Sequence, residues 1–178
     1  MDDSTDRRVA LLSIRPQFAA AILDGGKQVE FRRRAPSSAT SHVIVYATAP
    51  IKRIVGWFRV EAFEVGSPSV LWERFGDVGG IEAADFARYF DACDWGTAIR
   101  VADVSRVEPP APIEAVGADV CPPQSFRYID WAAFEALRGS PATSTPPGSD
   151  IRARAEHRPV APHSGAPRDV SRTERPTL

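Results

Sequence analysis

At 178 residues the chain suits one domain of ordinary size, and its 43% apolar and 25% charged residues are those of a globular protein. No stretch approaches the roughly 20 apolar residues of a membrane span, and the acidic, polar residues 1–8 lead into no signal-peptide core, so neither a membrane nor a secretory protein is expected. Residues 1–138 carry sixteen basic and nineteen acidic side chains, a net −3, so a nucleic-acid ligand would have to be drawn by a local basic patch.

In chain order, residues 9–14 (VALLSI) are an apolar run that reads as a buried strand. Pro16 stands where a helix has its first turn and Gly25-Gly26 where it stops, with Phe18, Ala21 and Ile22 at helical spacing between them. Residues 28–32 then alternate: Val29 and Phe31 face one way, Gln28, Glu30 and Arg32 the other, which predicts a half-buried strand with its charges toward solvent. Residues 43–47 form a central apolar strand, and 51–65 a long one in which Gly56 marks a bulge or a sharp bend. Helices are expected from Pro68 to Phe75 and from Ala83 to Phe90, with Gly79-Gly80 as a break between them. A strand over 95–104, an extended link at Pro109, Pro110 and Pro112, a strand over 124–129 and a helical turn or two over 131–137 complete the folded part. This predicts an α+β fold: a small mixed barrel of five to six strands with inserted helices and no regular βαβ alternation.

All sixteen aromatic residues fall at or before Phe134, whereas residues 139–178 hold seven of the sixteen prolines and six Arg against four acids. Such a segment has little to bury, so it is expected to be a disordered Pro/Arg-rich tail, following a flexible start over 1–8 and a folded domain over 9–138. A protein partner for that tail is a further expectation. Cys93 and Cys121 read as reduced thiols in a cytoplasm, and His42, His157 and His163 form no ligand set, so no metal or other cofactor is expected.

The segment richest in chemistry is GGKQVEFRRR, residues 25–34. Glu30 and Arg32 lie two strand rises, roughly 6–7 Å, apart on one face, close enough to pair or to grip one ligand. Lys27 falls on the opposite face of an ideal strand and joins them only if the diglycine exit turns the chain. It is also one of two lysines beside twenty arginines, which hints that an amine is specifically wanted there.

GGKQVEFRRR, preceded by LLSIRPQFAAAILD and followed by VIVYATAPIKRIVGWFRVE, resembles the signature of ASCH domains, G-x-K-x-x-E-x-R, met here by Gly25, Lys27, Glu30 and Arg32. The close PPQSFRYI is similar to that of a subgroup labelled as transcriptional regulators, and the resemblance spans roughly residues 9–130. It implies a PUA-like barrel, a cleft lined by the motif, and RNA or a nucleotide or modified nucleoside as ligand. Some relatives are amidohydrolases on modified cytidine that use a Lys and a Thr of the motif with a further Glu. Lys27 matches the Lys, but Glu30 stands in place of the Thr and residues 76–80 offer no such Glu, so that activity is not carried over.

Lys27, Glu30 and Arg32 are thus the candidate ligand cluster, with Lys27 and Glu30 as catalytic groups if the chain is a hydrolase on RNA or a nucleoside. Arg33 suits phosphate contact, and Ser13 with Arg15 marks a helix start that either caps or holds a phosphate. Tyr46 could stack a base, although core packing is its ordinary role. Gln124, Ser125 and Arg127 would meet a base edge or pin the last strand.

Overall fold

The computed structural model describes residues 7–139. The residues 1–6 of the expected flexible start and the expected tail from residue 140 onward lie outside the described residues.

Strand β1 (Arg8–Ile14) leads through Arg15 into helix α1 (Pro16–Leu23), with Pro16 in the first turn as expected. Strands β2 (Val29–Arg32), β3 (Thr40–Ala47) and β4 (Arg53–Gly66) follow, then helices α2 (Pro68–Phe75) and α3 (Ala83–Tyr89). Strand β5 (Gly96–Ala111), strand β6 (Phe126–Ile129) and helix α4 (Trp131–Gly139) complete the order. The six strands form one mixed sheet, ordered β2-β5-β4-β3-β1-β6, in which only β1 and β3 pair in parallel.

β5 runs seven residues past the expected strand end, through Pro109 and Pro110. Its ladder with β4 jumps from Gly56↔Arg106 to Ile54↔Ala111, so the two prolines, which have no N–H to donate, sit where pairing is interrupted. Gly56 is needed at that jump. A Cβ there would fall 2.5 Å from both a Leu23 methyl and the Ser105 carbonyl oxygen, so glycine lets α1 and β5 close on the strand.

The sheet is rolled. β2 and β1 stand four places apart in the order, about 19 Å in a flat sheet, yet Arg32 Nη2 lies 2.9 Å from the Ser13 carbonyl oxygen. Apolar clusters fill both faces of the centre. Ala10, Leu12 and Ile14 pack with Val43, Val45 and Phe58 on one, and Val9 and Leu11 with Ile44, Tyr46 and Phe134 on the other, which is why the run 9–14 is apolar throughout. A third cluster joins Val29 and Phe31 of β2 to Leu71, Phe86 and Phe90, fastening the α2–α3 insertion over the first edge of the sheet.

Candidate functional site

The site begins where α1 stops. Gly25 takes φ +80°, a left-handed turn that suits glycine, and the Lys27 N–H donates to the Ala21 carbonyl at 2.9 Å. The Gln28 N–H donates to Val78 at 2.9 Å, and β2 starts only at Val29. Lys27 therefore belongs to the link rather than the strand, so strand alternation does not direct its side chain, and it reaches the face that holds Glu30.

There the three charged groups meet. Lys27 Nζ lies 3.5 Å from Glu30 Oε2, and Arg32 Nε lies 3.2 Å from Glu30 Oε1 without the alignment of a hydrogen bond. Arg32 spends its Nη2 donor on Ser13, and Lys27 donates to the Gly79 carbonyl. Lys27, Glu30 and Arg32 are 3%, 7% and 8% exposed. The expected solvent-facing strand is thus wrong on this point: every β2 residue is buried, because α2 and α3 cover the Val29–Phe31 face while the rolled sheet encloses the other.

Burial lowers the Lys27 pKa from its ordinary 10.5; the Glu30 carboxylate opposes that shift, and the Arg32 charge adds to it. The Phe18 and Phe31 rings stand 5.3 and 5.4 Å from Nζ, so the ammonium is held by ring faces as well as by oxygen. Gly79 and Gly80 close over this lysine. A Cβ on Gly80, which has φ +58°, would press to 2.9 Å from Lys27 Cβ, and one on Gly79 to 2.5 Å from the Phe31 ring.

Above the cluster opens a cavity of about 380 Å³. Ser13 and Arg15 wall it from the β1–α1 junction, Arg33 from the end of β2, and Asp85, Arg88 and Tyr89 from α3. Among the described residues, five basic and two acidic side chains line it, a net +3 on a domain whose overall charge is negative. Arg33 is fixed at the mouth, its backbone N–H 3.3 Å from the Tyr89 hydroxyl and its guanidinium 5.0 Å from that ring's centre. Among the described residues, the buried Ser13 hydroxyl has no hydrogen-bond partner.

Of the residues singled out in sequence, Lys27, Glu30, Arg32, Arg33, Ser13 and Arg15 line this cavity. Tyr46 does not; it is buried in the apolar cluster with Ile44 and Phe134. Gln124 and Ser125 precede β6, and the exposed Arg127 donates to the Asp119 carbonyl at 3.3 Å, also away from the cavity. Sequence reasoning missed Phe18, Gly79, Asp85, Arg88 and Tyr89. The only local signal was the polar trio Asp85, Arg88 and Tyr89 at one-turn spacing on α3.

No family profile matches the chain. An ASCH domain-containing ribonuclease from Zymomonas mobilis is 35% identical over 132 residues, which are 72% of this chain and 89% of that protein. The chain belongs to the ASCH domain family. A crystal structure of ASCH from Zymomonas mobilis superposes with a TM-score of 0.69 at 32% identity, covering 75% of this chain and 95% of that one. A Tyr→Phe mutant of that protein gives the same score and identity over 74% and 97%. The α+β, PUA-like fold expected from the ASCH motif is therefore the fold adopted. Among the described residues, no helix is long and apolar enough to cross a membrane.

Proposed function

We propose that this ASCH protein binds single-stranded RNA in the cavity and cleaves it there. The observation that carries the reading is an amine, a carboxylate and a guanidinium, nearly withdrawn from water, at the floor of a net-positive cavity. The relative's designation as a ribonuclease supports it. Arg15, Arg33 and Arg88 suit the phosphate path, and Tyr89 offers a face to a base.

Cleavage assigns each floor group one task. The Glu30 carboxylate takes the proton of a ribose 2′-hydroxyl, whose oxygen attacks the adjacent phosphorus. The bond from phosphorus to the 5′-oxygen breaks, and the Lys27 ammonium gives that oxygen its proton. A 2′,3′-cyclic phosphate and a 5′-hydroxyl end result. Arg32 neutralises charge on the phosphorane. The step leaves Glu30 protonated and Lys27 neutral 3.5 Å apart, so one proton transfer restores both. A lysine whose pKa burial has lowered is a stronger acid than an ordinary one.

The test is incubation with an oligoribonucleotide and with its 2′-deoxy counterpart. RNA is cut to cyclic-phosphate ends, and the deoxy strand is bound but uncut. Lys27→Met keeps binding within a few-fold and slows cleavage by about 10²-fold or more. The rate falls at alkaline pH as Lys27 loses its proton, at a pH below 10.5. A Lys27→Met protein that cuts at the wild-type rate would overturn the chemistry. Wild-type binding without cutting would leave the cavity as an RNA- or nucleotide-binding site alone. That outcome fits the subgroup labelled as transcriptional regulators, which residues 122–129 resemble, and a cytoplasmic RNA-directed role. Turnover of a modified nucleoside in place of RNA would move the chemistry to the amidohydrolase alternative.

A further inference from the structure

On the RNA reading, a cavity of about 380 Å³ takes one unit of the strand, and the rest of the strand must continue beyond it. β6 is the last strand of the sheet, and its register on β1 sets Phe126 opposite Leu12 and Tyr128 opposite Ala10. Ile14, two residues beyond Leu12 on the same face of β1, lines the cavity. Ala10, Leu12 and Ile14 are themselves core residues, so the register gives a distance: Tyr128 lies about 13 Å along β1 from the cavity wall. The chain leaving β2 follows the same course. Arg33 stands at the cavity mouth, and four residues on, the Ser37 N–H donates to the Tyr128 hydroxyl at 2.9 Å.

At the far end an exposed aromatic ring lies under a guanidinium. Tyr128 is 42% exposed, its ring 5.4 Å from that of Phe126, and the exposed Arg8 guanidinium lies over it at 5.6 Å. A flat cation on an anchored aromatic ring, at the charged edge of a sheet, gives a nucleobase a plane to stack on and a phosphate a counter-charge. We propose that Arg8 and Tyr128 form a second subsite, which takes a base of the same single-stranded RNA one or more nucleotides away from the unit in the cavity. This rests on the RNA reading of the cavity.

Binding of a labelled mononucleotide and of a single-stranded oligoribonucleotide, measured by fluorescence anisotropy at one salt concentration, tests it in the full chain. Tyr128→Ala and Arg8→Ala each weaken the oligonucleotide about tenfold and leave the mononucleotide within twofold. Tyr128→Phe, which keeps the ring and loses the Ser37 bond, restores most of the oligonucleotide affinity. Equal losses on both ligands, or failure of Tyr128→Phe to restore binding, would assign the pair a structural role and overturn the subsite. Unchanged oligonucleotide binding in all three variants would overturn it too, with the cavity reading intact. A wild-type protein that binds neither ligand would overturn the cavity reading, and the subsite with it.

Discussion

Glu30 is the sole anion between two buried cations, and that asymmetry decides what each substitution does. Lys27→Met leaves Glu30 paired with Arg32, and the methionine fills the slot between Phe18 and Phe31. Glu30→Gln removes the carboxylate with which both Lys27 and Arg32 pair, and breaking a buried pair in this way costs about 3–5 kcal/mol. Urea unfolding should therefore rank Glu30→Gln well below wild type and Lys27→Met close to it; equal midpoints for both variants would refute the arrangement. The motif made these residues legible in sequence, and the two-residue spacing of Glu30 and Arg32 gave their shared face. Their burial was hidden, because alternation assigns polar residues of a strand to water and says nothing of helices that fold back over it from about forty to sixty residues on. Gly79 and Gly80 read as a helix break for the same reason: the lysine they cover is distant in sequence.

The elements came through the sequence better than the site did, since their signals are local. Pro16 and Pro68 open helices, Gly56 marks the irregular ladder, and the apolar run of β1 is buried on both faces. The prolines of β5 misled, because an extended link and an interrupted strand share the same backbone. Helix α4 shows what pairwise packing adds. It docks Trp131 and Phe134 on His42 of β3, with ring centres 5.5 and 5.0 Å away, and Trp57 stands at 5.7 Å. Burial, then the charges of Arg138, Arg59 and Arg7, lowers the His42 pKa from its ordinary 6.5. The unfolded chain thus takes up this proton near pH 6.5 while the folded one resists it, so stability is lost as the pH falls from 6.5 through the folded value. Unfolding midpoints at pH 7.5 and 5.5 should differ in the wild type and differ less in His42→Phe, which keeps a ring among the aromatics; an unchanged difference would acquit His42.

On the scale of the whole molecule, the sign of the charge reverses between the domain and its cavity. A net −3 over residues 1–138 repels a polyanion at long range, while +3 around the cavity attracts it at short range. At 0.1 M salt the screening length is about 10 Å, so the local field prevails. At about 0.01 M it reaches about 30 Å, and the repulsion of the rest of the domain is felt as well. Arg15, Arg33 and Arg88 at the cavity, with Arg8 along the track, give three to four phosphate contacts, which for a single strand means a slope of about −2 to −3 in log K against log salt. Binding should follow that slope near physiological salt and flatten toward low salt, where a uniformly basic protein would keep tightening. A chain ending at Gly139 lacks six arginines and four acids, and it should retain both the slope and the affinity within about twofold, since the described residues that line the cavity all lie before that point. If affinity instead vanished with residues 140–178, the attraction would belong to that segment and the cavity would lose its claim on RNA.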